Sequence, residues 1–190
     1  MTPIFGVTGW KNSGKTTLVT RLIAEFARRG YRVNSIKHAH HAFDIDVPGT
    51  DSFRHREAGA TEVAIVSGTR WALMHEVRDN DEPTMDEIIA RLAPADLILV
   101  EGYKRETQPK IECRLGAQEG KAPLAPNDPM IVAVASDHAP DDTGDTGDLP
   151  RFHLDAIAEI ADFIAAYHDL PPPGGPSTSV ERDDVATQTA

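Results

Sequence analysis

Apolar residues along the chain follow two patterns, short continuous runs and runs with helical spacing. The segments 3–7, 97–100 and 130–135 are apolar at almost every position, which predicts parallel strands that are buried on both faces. Apolar side chains three and four residues apart predict amphipathic helices over 15–29 and after the capping residue Asp155. Strands that alternate with helices in this way predict an α/β domain with a mostly parallel sheet.

Turn and capping signals predict the remaining elements. Two strand-like runs around Ser67-Gly68-Thr69 predict an antiparallel hairpin, and Thr84 with Glu87 three residues later predicts a capped helix. We expect the strands near 31–36 and 97–100 to lie on either side of the first strand, as parallel neighbours. The other expected elements are a short helix capped by Asp51 or Ser52, hairpin strands at 62–67 and 70–77, and a strand at 110–115.

The segment between the first strand and the first helix is Gly-Trp-Lys-Asn-Ser-Gly-Lys-Thr-Thr, and it fits G-x-x-x-x-G-K-[ST] at every fixed position. The backbone N–H groups of such a loop surround phosphate oxygens, and the helix N-terminus adds partial positive charge. We expect Lys15 to contact the β- and γ-phosphates and Thr16 to ligate Mg²⁺. The residues predicted to bind a nucleoside triphosphate are Gly9, Lys11, Asn12, Ser13, Gly14, Lys15, Thr16 and Thr17.

This loop sets the fold class. We predict a three-layer α/β P-loop NTPase fold over residues 1–170, with a mostly parallel sheet and an antiparallel hairpin. Residues 171–190 begin with Pro-Pro-Pro-Gly-Gly-Pro and continue as a polar segment with little to bury, which predicts a disordered tail. The acidic segment 141–148 repeats Thr-Gly-Asp and is predicted to be a solvated loop.

Acidic residues at strand ends are candidates for the metal site. Glu101 directly follows the buried strand 97–100, so we expect it to hold the Mg²⁺ shell or orient the attacking water, which makes it the candidate catalytic residue. Asp96 begins that strand and therefore lies at its opposite end. Asp44 and Asp46 follow the second strand and share one face of an extended chain, so they are further candidate metal ligands.

Three histidines, His38, His40 and His41, occur in the same loop as these aspartates. They allow a zinc site, but no cysteine stands nearby, so we favour a polar loop that contacts phosphate or a partner. The sequence Asp46-Val47-Pro48-Gly49 has the D-x-x-G form of signalling GTPases without following a buried strand. Since no N-K-x-D motif occurs, a signalling GTPase is disfavoured.

Two further groups of residues are candidates for ligand recognition. Asp137 ends the strand 130–135, where a carboxylate can accept hydrogen bonds from N1–H and the exocyclic amine of guanine; the alternative is an ordinary capping aspartate. Lys104, Arg105 and Lys110 flank the loop after Glu101 in an acidic chain, which favours a bound anion such as a phosphorylated pterin. The alternative is that these are solvated surface residues.

Charge and cysteine content narrow the possible partners and compartment. The net charge of −11 disfavours nucleic acid and anionic membranes as partners. Cys113 is the only cysteine, so an internal disulfide is excluded and a reducing cytoplasm is favoured. The chain enters its first strand almost at once and has no long apolar run, so we expect neither a signal peptide nor a membrane span.

Several ordered motifs together resemble one known family over roughly residues 3 to 168. The chain is similar to the MobB family of molybdopterin-guanine dinucleotide biosynthesis adaptor proteins. The acidic loop and the tail match no motif of that family. The segments that carry the resemblance are the P-loop 9–17, Ile-Lys-His-Ala-His-His at 36–41, Phe-Asp-Ile-Asp at 43–46, Pro-Gly-Thr-Asp-Ser at 48–52, Val-Glu-Gly-Tyr-Lys at 100–104 and Pro-Lys-Ile-Glu at 109–112.

The resemblance implies a GTP-binding homodimer with at most weak GTPase activity. It also implies a partner, the guanylyltransferase MobA, which joins GMP to molybdenum-bound molybdopterin. An alternative function is a P-loop small-molecule kinase or ligase whose acceptor docks at the His-rich loop. Product formation on a small acceptor without a partner protein favours the kinase, whereas activity that appears only as stimulation of a transferase favours the adaptor.

Overall fold

A computed structural model gives the fold, and it describes residues 1–39, 43–78, 82–116, 121–137 and 147–172. The chain divides into two compact units, Met1–His38 with Ala93–Ala190, and Ala39–Leu92. His40, His41, most of the acidic loop 141–148 and residues 173–190 of the predicted tail lie outside the described residues. The predicted domain limits therefore stay a prediction.

The first unit contains a six-stranded parallel sheet. Its elements are β1 (Ile4–Thr8), α1 (Lys15–Arg28), β2 (Val33–Lys37), β5 (Leu97–Glu101), β6 (Lys110–Arg114), a 3₁₀ turn (Ala125–Asn127), β7 (Ile131–Ser136), β8 (Arg151–His153) and α4 (Ile157–Tyr167). The strands pair in the order β2-β5-β1-β6-β7-β8, with every pair parallel. The mostly parallel α/β fold is thus confirmed.

The position of β5 in this sheet differs from the expected one. β5 lies between β1 and β2, because Leu99 pairs with Phe5 on one side and with Ser35 on the other. The expectation that β2 neighbours β1 is therefore wrong. All five residues of β5 are buried, which agrees with its continuous apolar sequence. The carboxyl end of β5 lies beside that of β1, where the P-loop begins.

The core of the first unit forms between the sheet and the helices α1 and α4. Leu22 and Phe26 of α1 and Ile160 and Ile164 of α4 have no exposed surface. The predicted cap of α4 is wrong, because Asp155 pairs with Arg21 of α1 and makes no capping hydrogen bond. The ion pair links α1 to the segment just before α4 at the surface.

The second unit contains the predicted hairpin and two short helices. Its elements are α2 (Asp51–Glu57), β3 (Glu62–Val66), β4 (Trp71–His75) and α3 (Met85–Ile89), and β3 pairs with β4 in antiparallel register. Thr84 and Glu87 form the predicted capping box of α3. The cap of α2 is Thr50, one residue before the predicted candidates Asp51 and Ser52.

Candidate functional site

The P-loop adopts a conformation that only glycine permits at its first position. Gly9 has φ +145°, and a Cβ placed there would lie 2.4 Å from Ser13 Oγ and 2.6 Å from the carbonyl oxygen of Cys113. Gly14, which precedes α1, has φ +89°. Residues with a side chain rarely adopt these φ values, so the two glycines allow the backbone to curl around a small volume. This is the form that a phosphate-binding loop requires.

Polar side chains inside the loop fit an anionic ligand. The Ser13 hydroxyl is buried and has no hydrogen-bond partner among the described residues. Lys15 Nζ donates to the carbonyl oxygen of Trp10 at 2.6 Å. Burial lowers the pKa of Lys15, and the nearby cations Lys104 and Lys37 lower it further. A triphosphate would supply both an acceptor for Ser13 and countercharge for Lys15.

The thiol behind this loop does not add negative charge. Burial raises the pKa of Cys113 to about 12, so the side chain stays a neutral thiol at physiological pH. It therefore behaves as a small core residue of β6 rather than as a nucleophile.

Glu101 and Thr16 meet at the carboxyl edge of the sheet, as their positions predicted. Thr16 Oγ1, in the first turn of α1, donates a hydrogen bond to Glu101 Oε1 at 2.7 Å. Lys37 Nζ lies 3.3 Å from the same carboxylate oxygen and 3.4 Å from Thr16 Oγ1. Only 8% of Glu101 is exposed, so its charge is stabilised mainly by these two contacts.

The Thr16–Glu101 pair fits a divalent cation. A hydroxyl and a carboxylate oxygen are hard donors of the kind Mg²⁺ prefers, and Mg²⁺ usually takes one or two protein ligands together with substrate phosphates. The described part of the chain contains no group of three or more His, Cys, Asp or Glu side chains placed to bind a metal by themselves. The Thr16–Glu101 pair therefore fits an ion whose remaining ligands come from phosphate oxygens and water.

Asp44 and Asp46, the other candidate metal ligands, belong to the second unit. Asp46 Oδ1 accepts hydrogen bonds from the Val47 amide and from the hydroxyls of Thr50 and Ser52. Arg56 Nη1 lies 3.0 Å from Asp44 Oδ1 and 3.4 Å from Asp46 Oδ2. These contacts organise the start of α2, and the role of both carboxylates as Mg²⁺ ligands stays a prediction.

Asp137 lies at the end of β7, at the same edge of the sheet as the P-loop. Both of its carboxylate oxygens lie within hydrogen-bond distance of the Gly116 amide, at 2.9 and 3.1 Å. The side chain is exposed. It therefore binds the Gly116 amide beside the end of β6, and its predicted contact with guanine is untested.

The basic residues after Glu101 differ in burial. Lys110 is completely buried, where its ammonium donates to the carbonyl oxygens of Lys104 and Glu106 and lies 3.2 Å from Asp128. It is thus a structural anchor of the loop, and the alternative that it is a solvated surface residue is wrong. Arg105 is exposed.

Trp10 connects the P-loop to two neighbouring loops. Its indole N–H donates to the carbonyl oxygen of Ala122 at 2.8 Å, and the Lys104 and Lys121 ammonium groups lie 4.5 and 5.4 Å from its ring centroid. On β6, Glu112 pairs with Arg114 and accepts from the Leu124 amide. The contacts of Trp10 were not predicted, because no motif places a loop tryptophan against distant lysines.

His38 packs against Tyr103, and the zinc alternative stays untested because His40 and His41 lie outside the described residues. The two rings have centroids 4.5 Å apart, and the His38 amide donates to the carbonyl oxygen of Glu101 at 2.9 Å. Gly102 has φ +95° and Tyr103 has φ +45°, so the chain turns sharply after the carboxylate. The ring contact lies directly behind this turn, at the end of β2.

These features, a P-loop at the end of β1 and a carboxylate at the end of β5, agree with a comparison to known families. The family model described as molybdopterin guanine dinucleotide synthesis protein B, MobB, matches residues 4–137. The chain belongs to the MobB family. The expected family, and with it the expected fold class, are confirmed.

MobB relatives cover most of the chain. The molybdopterin-guanine dinucleotide biosynthesis adapter protein of Haemophilus influenzae is 39% identical over 165 residues, which cover 85% of this chain and 87% of the relative. The corresponding adapter protein of Escherichia coli is 38% identical over 170 residues, covering 88% and 94%. A crystal structure of molybdopterin-guanine biosynthesis protein B superposes with a TM-score of 0.65 at 27% identity, covering 86% of this chain and 97% of the other.

No helix in the described part of this MobB family member is long and apolar enough to cross a bilayer.

Proposed function

We propose that this protein is a GTP-binding adapter in the biosynthesis of molybdopterin guanine dinucleotide. It binds GTP with Mg²⁺ at the P-loop and assists the guanylyltransferase MobA, which uses GTP and a molybdopterin-type cofactor. The observation that carries the proposal is the Thr16–Glu101 contact of 2.7 Å at the end of a glycine-requiring loop. The family membership connects this nucleotide site to the pathway.

Each group of the site has a role in this proposal. The loop amides and Lys15 hold the phosphates, the Ser13 hydroxyl donates to a phosphate oxygen, and Thr16 with Glu101 holds Mg²⁺. When bound, the ion neutralises phosphate charge. Glu101 already interacts with Thr16 and with Lys37, so it is better placed to hold the ion than to deprotonate water. The proposal therefore includes binding with weak hydrolysis at most.

In this proposal Asp137 selects guanine over adenine. An ionised carboxylate accepts two hydrogen bonds from guanine, and adenine has no matching pair of donors. Asp137 is exposed at the carboxyl edge of the sheet, which supports this assignment. Asp137→Asn should reduce the preference for GTP over ATP in a competition titration. An unchanged preference would mean that Asp137 only orders the loop through Gly116.

Two partners belong to the proposal. Arg105 and Lys104 lie after Glu101 and would contact the phosphorylated pterin, so replacing both with alanine should weaken stimulation of MobA and preserve GTP binding. A second copy of the chain would cover the exposed apolar side chains of the hairpin, which include Val66 at 75% and Trp71 at 68% exposure. We infer a homodimer in the cytoplasm.

Calorimetric titration with GTP and with ATP, each with Mg²⁺, tests the proposal most directly. Lys15→Ala should weaken GTP binding about 10- to 150-fold, since a charged hydrogen bond is worth about 1.5–3 kcal/mol. The melting temperature of the nucleotide-free protein should change little, because Lys15 contacts only the Trp10 carbonyl among its described hydrogen bonds. Lys121→Ala, which removes an exposed lysine, is the matched control.

Two results would contradict the proposal. One is GTP affinity that Lys15→Ala leaves unchanged. The other is steady product formation on a small acceptor without a partner protein, which would identify a kinase or ligase.

A further inference from the structure

Lys37 stands out because its position follows from the backbone of the sheet. β2 and β5 are parallel neighbours, and their register pairs Lys37 directly with Glu101. Paired residues of adjacent strands point to the same side of the sheet. The last residue of each strand thus brings an ammonium and a carboxylate together at the edge where the P-loop lies.

The ammonium contacts the same two oxygen atoms that fit a metal ion. Lys37 Nζ lies 3.3 Å from Glu101 Oε1 and 3.4 Å from Thr16 Oγ1, and these two oxygens are 2.7 Å apart. The ammonium thus contacts the hydroxyl of Thr16 as well as the carboxylate of Glu101, which a simple surface ion pair does not require. The Lys37 ammonium therefore already contacts both oxygens that a metal ion would bind.

We propose that Lys37 is a built-in counter-cation of the Thr16–Glu101 site and competes with divalent metal when no nucleotide is bound. The inference rests on the proposed function and specifies how the same site is regulated. Without nucleotide the ammonium stabilises the carboxylate. When Mg²⁺ binds together with GTP, the ammonium leaves the pair, and the metal takes its place.

The exposures of the two side chains favour such an exchange. The side chain of Glu101 is 10% exposed, so a cation beside the carboxylate reduces the cost of burying its charge. The side chain of Lys37 is 60% exposed, so its ammonium can move into water at low cost. The nearby positive charge of Lys15 also disfavours a metal ion in the absence of phosphates, and phosphates reverse that effect.

The test measures Mn²⁺ binding to the nucleotide-free protein by electron paramagnetic resonance, with Mn²⁺ as a probe for Mg²⁺. Lys37→Met should bind Mn²⁺ about fivefold more tightly than the unmodified protein, a change of about 1 kcal/mol. Lys37→Arg keeps the cation and should remain weak. Lys121→Met removes one positive charge beside Trp10 and should also leave Mn²⁺ affinity unchanged.

A second measurement covers a possible loss of stability in the variant. Lys37→Met leaves Glu101 without its counter-cation, so the melting temperature should fall and Mg²⁺ should raise it more than in the unmodified protein. Adding Glu101→Gln to Lys37→Met should abolish the gain in Mn²⁺ affinity. Circular dichroism of each variant confirms the fold.

Three outcomes would overturn the inference. Equal Mn²⁺ affinity in all the lysine variants, including no binding in any of them, would show that Lys37 does not compete. A gain that persists after Glu101→Gln would place the metal elsewhere. Weaker GTP binding with unchanged Mn²⁺ binding would identify Lys37 as a phosphate ligand. Because these titrations contain no nucleotide, failure of the proposed function would appear separately, as absent GTP binding in the unmodified protein.

Discussion

The two units of the chain differ in how completely they bury their apolar side chains. In the sheet unit, Phe5 and Leu99 have no exposed surface, and the P-loop follows directly from β1. In the 39–92 unit, the hairpin buries Val63 and Met74 but leaves Leu73 44% exposed. A two-stranded sheet is marginal without a surface to pack on. The proposed nucleotide site therefore adjoins a core of fully buried side chains, whereas the hairpin leaves apolar side chains exposed, which supports the proposed partner surface.

The sharpest test of this difference is a pair of identical substitutions. Leu99→Ala removes a fully buried side chain from the centre of β5 and should lower the free energy of unfolding by about 2–5 kcal/mol. Leu73→Ala should change it by about 0.5 kcal/mol or less in the monomer. Urea denaturation at low protein concentration measures both.

The same pair also examines the proposed homodimer. Leu73→Ala should shift the monomer–dimer equilibrium toward monomer in sedimentation equilibrium, because the exposed side chain would be buried in the dimer. A large loss of stability in the dilute Leu73→Ala protein would instead show that the hairpin face is covered within one chain.

Burial on both faces also explains which elements the sequence predicted. β5 is continuously apolar because both of its faces are covered, so its limits were predicted almost to the residue. β8 was missed, since a three-residue strand with one large apolar side chain, Phe152, carries no periodic pattern. The order of strands was also beyond local patterns, because β5 enters between β1 and β2 from a distant part of the chain.

Residues of the candidate site could be predicted where a sequence motif fixes their position. They could not be predicted where their position depends on the register between two strands. The motif predicted Thr16, and the position after a buried strand predicted Glu101, and the two side chains are in contact. Lys37 was not predicted, because its contact with Glu101 depends on how two strands pair. The burial of Lys110 was not predicted, since sequence does not distinguish a buried lysine that binds carbonyl groups from an exposed one.

A second comparison of the units uses two glycines with positive φ. Gly59, in the second unit, has φ +106° and open space within 4 Å of a Cβ placed there, whereas Gly9 has both a positive φ and close neighbours. Gly59→Ala should therefore cost about 1–2 kcal/mol, the backbone term alone. Gly9→Ala should cost about 3 kcal/mol or more, because Ser13 and the β6 backbone must also shift.

Chemical denaturation of both alanine variants measures the two costs, and GTP titration adds a functional readout. Gly9→Ala should lose nucleotide binding, while Gly59→Ala should keep it. Equal stability losses in the two variants would show that the crowding around Gly9 is relieved without cost, so that the P-loop is less rigid than its contacts indicate.

The smallest expected effect is a pH dependence of stability that reports how far the His168 ring is shielded from water. His168 follows α4 and packs its ring against Phe5 and Tyr167, with centroids 5.9 and 5.3 Å away. Burial lowers its pKa below the usual 6.5. The unfolded chain therefore takes up a proton at higher pH than the folded chain, so the contribution to stability is complete above pH 6.5 and is lost as pH falls through the folded-state pKa.

His168→Gln should remove this part of the pH dependence, because the amide does not titrate. The free energy of unfolding, measured in urea from pH 7.5 down to pH 5, should fall less steeply for the variant than for the unmodified protein. His55→Gln, on an exposed position of α2 in the second unit, is the matched control and should leave that difference intact. Parallel pH profiles for His168→Gln and the unmodified protein would mean that water reaches the ring, and that the end of α4 is not part of the dry core.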